Sequence, residues 1–364
     1  MQNILLDFVA LPFLTALVVV LLVTPLVIRV AIRYGLIDDP KRNNHPGIIH
    51  TKPIPRGGGI ALFLGAFLSS LFFLPITPVT MAIFLAAFLA LTIGVIDDKL
   101  NAQSKDASPY LRLLINILCA VIVVGSNVHI GFITDPFGGI LHLDTIRIPL
   151  FGSYYVMLAD LLTMVWIVWV MNMLNWSKGV DGQMPGIVMI SAFIIGVLSL
   201  RFPVSDPSVA IDAKLSFIVA GSALGFLFYN FHPAKILPGY GATAIYLLLA
   251  VVSLLSSSKL ATAILVMGVP TVDALYTIFR RLRNRRSVFH GDKKHLHHLL
   301  LHFGWSQRSI ALFYWTISAI LGIVALLLQS RSKLFAIIML LVIVGGGLFF
   351  LHRVTQQSNE KTTS

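Results

Sequence analysis

Phe8-Val9-Ala10-Leu11-Pro12-Phe13-Leu14-Thr15-Ala16-Leu17-Val18-Val19-Val20-Leu21-Leu22-Val23-Thr24-Pro25-Leu26-Val27-Ile28 carries no formal charge, and with Arg29-Val30-Ala31 it forms a run from residue 8 to residue 31. About 20 mainly apolar residues are enough to cross the hydrocarbon core as a helix. Peptide groups in lipid find no water, so the run must close its hydrogen bonds within itself, which a helix does and an extended segment does not. Asp7 stands where a secretory leader would be basic, and no small-residue cleavage site follows. The helix is therefore expected to be retained, with the mature chain beginning at or near Met1.

The pattern recurs along the chain, with further candidate spans near 57–75, 79–96, 110–127, 155–174, 185–201, 213–231, 240–256, 259–280, 310–329 and 333–352. The expected fold is all-α, a polytopic transmembrane helical bundle of about eleven spans. It is expected to form one domain over 1–364 with a short cytoplasmic tail at 353–364. Of the 364 residues 57% are hydrophobic and 12% charged, and the mean hydropathy is +0.88, more apolar surface than a water-soluble core can bury. The short alternation of an outer-membrane barrel does not dominate, and no internal repeat of the inverted-transporter kind is evident. Between the fourth and fifth spans, Asp135-Pro136-Phe137-Gly138-Gly139 precedes the alternating Ile140 to Ile148, which predicts a small β-hairpin on the outer side within 128–154.

The net charge is +12. With no soluble domain to display it, no nucleic-acid partner is expected, and the positive charge is read as that of basic membrane loops. If the N-terminus is outside, the loops after odd-numbered spans, with their flanks and the tail, hold 21 of the 27 Lys and Arg. That places those loops and the C-terminus in the cytoplasm, in a multi-pass protein of the cytoplasmic membrane in contact with its lipids. Cys119 is alone in an apolar span, so no intrachain disulfide forms.

The polar residues gather in these inner loops. The first holds Asp38-Asp39-Pro40-Lys41-Arg42, His45, His50 and Thr51-Lys52-Pro53-Ile54-Pro55-Arg56-Gly57-Gly58-Gly59, where Lys52 and Arg56 offer cations for phosphate. Such residues are also ordinary topology signals. The second holds Asp97-Asp98, whose mutual repulsion at a membrane boundary is relieved by a cation; Mg²⁺ suits one or two carboxylates completed by substrate phosphates. The third, Asn172-Met173-Leu174-Asn175-Trp176-Ser177-Lys178-Gly179-Val180-Asp181-Gly182, brings amides, an ammonium and a carboxylate to a glycine-rich turn that suits a sugar nucleotide, with helix capping the competing account of Asp181. The fourth holds Asn230-Phe231-His232-Pro233-Ala234-Lys235, and the fifth an arginine run from Arg280, then Asp292 and His295-Leu296-His297-His298. No matching zinc ligand set accompanies the histidines, which serve better as donors to phosphate. Pro270 is expected to kink the ninth span, and Asp273 to face the protein interior.

In their order, Pro55-Arg56-Gly57-Gly58, Asp97-Asp98, Asn230-Phe231 with Pro233-Ala234-Lys235-Ile236, and His295-Leu296-His297-His298 resemble the motifs of the polyprenyl-phosphate N-acetylhexosamine-1-phosphate transferases. The resemblance covers roughly residues 30 to 330 and is nearer to the undecaprenyl-phosphate N-acetylglucosamine-1-phosphate branch than to the phospho-MurNAc-pentapeptide transferases. It implies an enzyme that moves a HexNAc-1-phosphate from a UDP-HexNAc to polyprenyl phosphate and releases UMP, in cell-envelope polysaccharide, lipopolysaccharide or peptidoglycan synthesis. It implies Mg²⁺, or Mn²⁺, as cofactor, held by Asp97, Asp98 and Asp181. Asp97 and Asp98 would be catalytic, while Lys52, Arg56, Asn172, Asn175, Lys178, Asn230, Lys235, Asp292, His295, His297 and His298 would bind substrate. The chain departs from the family pattern at Lys178 and Tyr240, where that pattern has aspartate, so the site is three charge units more positive and should hold a divalent metal less strongly. Two other readings stand beside the enzyme: a catalytically impaired relative that binds polyprenyl phosphate or nucleotide sugar, and a transporter of lipid-linked sugars.

Overall fold

A computed structural model describes all residues except 1–3, 42–47, 106, 136–138, 151–152, 256–259, 289–293 and 364. The described chain is almost wholly helical. The helices are α1 (Leu11–Arg33), α2 (Gly58–Phe73), α3 (Pro78–Ala102), α4 (Pro109–Val124), α5 (Met157–Trp176), α6 (Gln183–Ser199) and α7 (Pro207–Asn230). They continue as α8 (Thr243–Val252), α9 (Leu260–Val266), α10 (Gly268–Arg283), α11 (Leu296–His302), α12 (Gln307–Leu327) and α13 (Ser330–Thr363). A π-helical stretch, Leu5–Ala10, leads directly into α1. Prolines start α3, α4 and α7, where their missing N–H costs nothing. Thr77 and Asp206 cap two of these helices by accepting from Thr80 N and Ser208 N.

Each expected span coincides with one helix or with the α9–α10 pair, but length separates them. Among the described residues six helices are long and apolar enough to cross a membrane, or seven if the bent pair is one span. The shorter apolar helices α2, α4, α6 and α8 have 10 to 17 residues. At about 1.5 Å per residue, the ten-residue α8 spans only about half of the hydrocarbon core. Every α8 residue is buried, so α8 lies in the protein interior with no face left for lipid.

The axis of the bundle is α7, which packs against α1, α6 and α2. Its Gly221 and Gly225, one turn apart, let α1 approach so closely that a Cβ on Gly221 would sit 2.1 Å from Phe13 O and one on Gly225 2.7 Å from Leu17 O. Lipid offers apolar side chains as good a solvent as a neighbouring helix does, so this backbone fit is what holds the two helices together. Between α9 and α10 the axis turns by 82°. Pro270 explains the site of the break: its ring opposes the carbonyl four residues back, at Val266, where α9 ends.

The segment between α4 and α5 contains two small antiparallel ribbons where one hairpin was expected. Phe132–Thr134 pairs with Ile140–His142, and Arg147–Leu150 with Ser153–Val156. The expected tail at 353–364 continues the backbone helix of α13 as far as Thr363.

Candidate active site

The frame of the site is backbone. Ile37–Asp38 (β1) pairs with Ile54–Pro55 (β2), and the segment 237–238 joins their edge. There Leu237 N donates to Pro55 O at 2.8 Å, while Gly58 N and Gly59 N donate to Leu237 O and Pro238 O at 3.0 and 2.9 Å. The loop then passes between α2 and α3 at a glycine junction. A Cβ on Gly59 would lie 2.1 Å from Gly241 C, and one on Gly94 2.4 Å from Gly241 Cα. Only three glycines let the chain through, and this passage sets the backbone of Tyr240 and Gly241 against the end of α3. Tyr240 N donates to Asp98 Oδ1 at 2.7 Å and Gly241 N to Asp98 Oδ2 at 3.3 Å.

Around this point acids and bases neutralise one another. Arg56 Nε donates to Asp98 Oδ1 at 2.9 Å, and its Nη1 to Asp38 Oδ2 at 2.7 Å and Asn101 Oδ1 at 2.6 Å. Arg112, in the first turn of α4, gives both Nε and Nη2 to Asp97 Oδ1 at 2.7 Å. Asp38, Asp97 and Asp98 are 4%, 2% and 0% exposed, and the cost of burying them is offset by these arginines and by the backbone donors to Asp98.

Lys178 and Tyr240 complete the cluster. The Lys178 ammonium donates to Gly239 O at 2.9 Å and lies 5.8 Å from the centre of the Tyr240 ring, with Arg112 at 5.1 Å from the same ring. Burial, then repulsion by Arg56, lowers the Lys178 pKa from 10.5 to about 7, against the pull of Asp98 and Asp97. Burial pushes the Tyr240 phenol up to about 12, so it is neutral, and its oxygen accepts from Asn116 Nδ2 at 3.4 Å.

Beside Lys178 stands a histidine wall. Asp273 accepts from His295 Nδ1 at 2.9 Å and from Leu296 N at 3.0 Å, so one carboxylate orients the ring and caps the start of α11. The rings of His295 and His297 are parallel with centroids 5.7 Å apart, and His298 lies 4.3 Å beyond His297. His297 presses on the turn after Lys178, where a Cβ on Gly179 would fall within 1.8 Å of Nε2. Burial, followed by His298 and His295, moves the His297 pKa well below its ordinary value, so the ring is neutral. Its Nδ1, like Asn175 Oδ1, is buried without a hydrogen-bond partner among the described residues.

The remaining expected residues divide clearly. Asp181 Oδ2 accepts from His232 Nδ1 at 2.8 Å and Ala234 N at 3.1 Å. Asn230 accepts from Gly182 N at 3.0 Å and donates to Ile236 O at 2.9 Å, so Asp181 and Asn230 lock the third and fourth loops together. Asn172 donates to Val168 O within its own helix. Lys52 and Lys235 are exposed, Lys235 over the Tyr229 ring. Asp292, with Arg42 and His45, lies outside the described residues. The sequence reading left out Arg112, Asn101 and Asn116 and gave Asp38 and Tyr240 no site role. For Arg112 and Asn116 a signal existed, since polar groups within an apolar segment usually have a partner or a task.

A divalent ion needs carboxylate oxygens facing a shared point. Here Asp97 faces Arg112, Asp98 faces Arg56 and two backbone donors, and Asp181 faces His232 and Ala234 N. Among the described residues no three His, Cys, Asp or Glu form a set that could hold a metal. With the expected carboxylates engaged by cations and backbone donors, the described residues present no ready protein ligand set for a resident Mg²⁺ or Mn²⁺ ion.

Comparison with known proteins agrees with the motifs. The model of a family described as Glycosyl transferase family 4 matches residues 80–257. A probable undecaprenyl-phosphate N-acetylglucosaminyl 1-phosphate transferase of Bacillus subtilis (strain 168) is 34% identical over 328 residues, 88% of this chain and 85% of that protein. The decaprenyl-phosphate N-acetylglucosaminephosphotransferase of Mycobacterium leprae (strain TN) is 32% identical over 351 residues, 87% of this chain and 82% of its own length. A phospho-N-acetylmuramoyl-pentapeptide-transferase of Moorella thermoacetica is 28% identical over 291 residues, 76% of this chain and 84% of its own. Apolar helices, ordered loop motifs and relatives matched over most of both lengths lead to one conclusion: the chain is a multi-pass membrane protein of glycosyl transferase family 4, the family of the polyprenyl-phosphate N-acetylhexosamine-1-phosphate transferases.

Proposed function

We propose that the chain transfers a HexNAc-1-phosphate, in particular GlcNAc-1-phosphate, from its UDP-sugar to a polyprenyl phosphate such as undecaprenyl phosphate, in cell-wall synthesis. The observation that carries this is the convergence of Arg56, Arg112 and Lys178, from three separate segments of the chain, beside a histidine wall. Such a set suits a diphosphate and a monophosphate held side by side. The asymmetry of basic residues supports an N-terminus outside, a cytoplasmic C-terminus and a site at the cytoplasmic face.

In the reaction an oxygen of the acceptor phosphate attacks the β-phosphorus of the UDP-sugar. A new phosphorus–oxygen bond forms, the bond to the bridging oxygen breaks, and UMP leaves with the electron pair. A phosphate monoester loses its second proton near pH 6, so at neutral pH the acceptor needs position and charge neutralisation more than a base. Asp97 and Asp98 hold Arg112 and Arg56 in place, and Asp273 orients His295. No step is assigned to a metal.

One observation favours a second reading, binding without turnover: both oxygens of Asp98 and Oδ1 of Asp97 are engaged by arginines and backbone donors. The test is UMP release from a panel of UDP-HexNAc donors by the purified chain with polyprenyl phosphate. Release with UDP-GlcNAc supports the transferase. Nucleotide binding without release from any donor selects the second reading, and absence of both rejects the two together.

A further inference from the structure

We infer that Lys178, with Arg56 and Arg112, supplies as fixed side chains the positive charge that a divalent ion would bring, so that a nucleoside diphosphate-sugar binds here without metal. This rests on the proposed function for the identity of the ligand alone.

Three basic groups, Arg56, Arg112 and Lys178, stand with three carboxylates, Asp38, Asp97 and Asp98, so with Lys178 protonated the cluster is formally neutral with no ion added. The pattern that the chain resembles would place carboxylates at 178 and 240. The same cluster would then carry three negative charges, and still one after binding a divalent ion. The present cluster is thus more receptive to an anion empty than that one would be with its metal.

The two departures from the pattern are also one local unit. Lys178 lies over the Tyr240 ring and bonds the carbonyl of the residue before it. The ring's π-face attracts both Lys178 and Arg112, two like charges that repel one another. Meanwhile the Tyr240 backbone serves Asp98 whatever its side chain is.

Lys178 retains capacity. An ammonium has three donors, and Gly239 O is the single acceptor that Nζ meets among the described residues. Two donors remain for phosphate oxygens. Arg56 and Arg112, tied to buried acids, set the field around them without being consumed by it.

The test is calorimetric titration of the full chain in nanodiscs with UDP-GlcNAc, UMP and inorganic pyrophosphate, each in excess EDTA and again in Mg²⁺. The dissociation constant for UDP-GlcNAc in EDTA is expected within about twofold of that in Mg²⁺. Lys178→Gln should weaken binding by about tenfold or more, the worth of a charge-assisted hydrogen bond, and Lys178→Arg should recover most of it. The Lys178→Asp/Tyr240→Asp double variant should bind only when Mg²⁺ is present. A thermal melt accompanies each variant, and if one fails to fold, the wild-type comparison decides alone. Wild-type binding that vanishes in EDTA and returns with Mg²⁺ overturns the inference. So does undiminished affinity in folded Lys178→Gln, or no binding of any of the three probes. Binding in EDTA with no UMP release in either EDTA or Mg²⁺ overturns the transferase instead and leaves this inference standing, whereas UMP release together with binding seen only in Mg²⁺ does the reverse.

Discussion

Arg56 offers the sharpest test of the site's energetics. It is the common partner of Asp38, Asp98 and Asn101, and the Asp98 side chain has no exposure at all. Replacing Arg56 by Gln strands a carboxylate in the interior, a change that costs about 3–5 kcal/mol when a buried pair loses one partner. Asp98 keeps two donors, Tyr240 N and Gly241 N, so the lower end, about 3 kcal/mol, is the expected loss. Each kcal/mol moves the midpoint of a large domain by about 2 °C or more, which gives a fall of about 6 °C. The assay is thermal unfolding in one detergent, followed by intrinsic fluorescence, for Arg56→Gln, Asp98→Asn and the double variant. Asp98→Asn in the Arg56→Gln background should recover part of the loss, because it removes the charge that has lost its partner. A fall below about 2 °C for Arg56→Gln, or losses that simply add in the double variant, would refute the claim that this pair secures the site.

Further outcomes are expected. Gly94→Ala places a Cβ 2.4 Å from Gly241 Cα and should cost at least about 1–3 kcal/mol, read as a lower midpoint together with weaker UDP-GlcNAc binding. Asp273→Asn keeps an acceptor for Leu296 N but loses the carboxylate that orients His295. UMP release should fall by about tenfold to a hundredfold, with a displaced pH profile and little change in midpoint; an unchanged profile would remove the positioning role from Asp273. The Lys178 ammonium titrates near 7 in the fold against 10.5 when free, so between those values the unfolded chain binds more protons than the folded one. Stability should therefore rise as pH increases from about 7 to about 10.5, and Lys178→Met should flatten that rise; an identical slope in both proteins counts against the assignment.

Most of the architecture was legible in the sequence because lipid imposes a coarse rule, and apolar length alone reveals α1, α3, α5, α7, α12 and α13. For the short α8, length and apolar composition part company, because its apolar run goes with complete burial in protein, and an apolar neighbour and a lipid tail select the same residues. In the site, Asp97, Asp98, Lys178 and the histidines were visible as polar groups at membrane boundaries. Their partners were not, because pairing is a three-dimensional fact: Arg112 lies 15 residues from Asp97, and Arg56 lies 42 from Asp98. Asn230 and Asp181 also join the third and fourth loops, a contact that their place in the sequence does not reveal.

The crossing of Gly59, Gly94 and Gly241 fixes the path of the loop by close backbone approach, and Asp98 and Lys178 add hydrogen bonds to its backbone. A frame set largely by backbone contact tolerates a change of chemical content. The side chains of residues 178 and 240 can differ while the glycine crossing that presents them stays in place. Chains with this junction can diverge in how they neutralise phosphate while preserving one shape, and the junction is the natural fixed point for grafting a different set of charges onto this bundle.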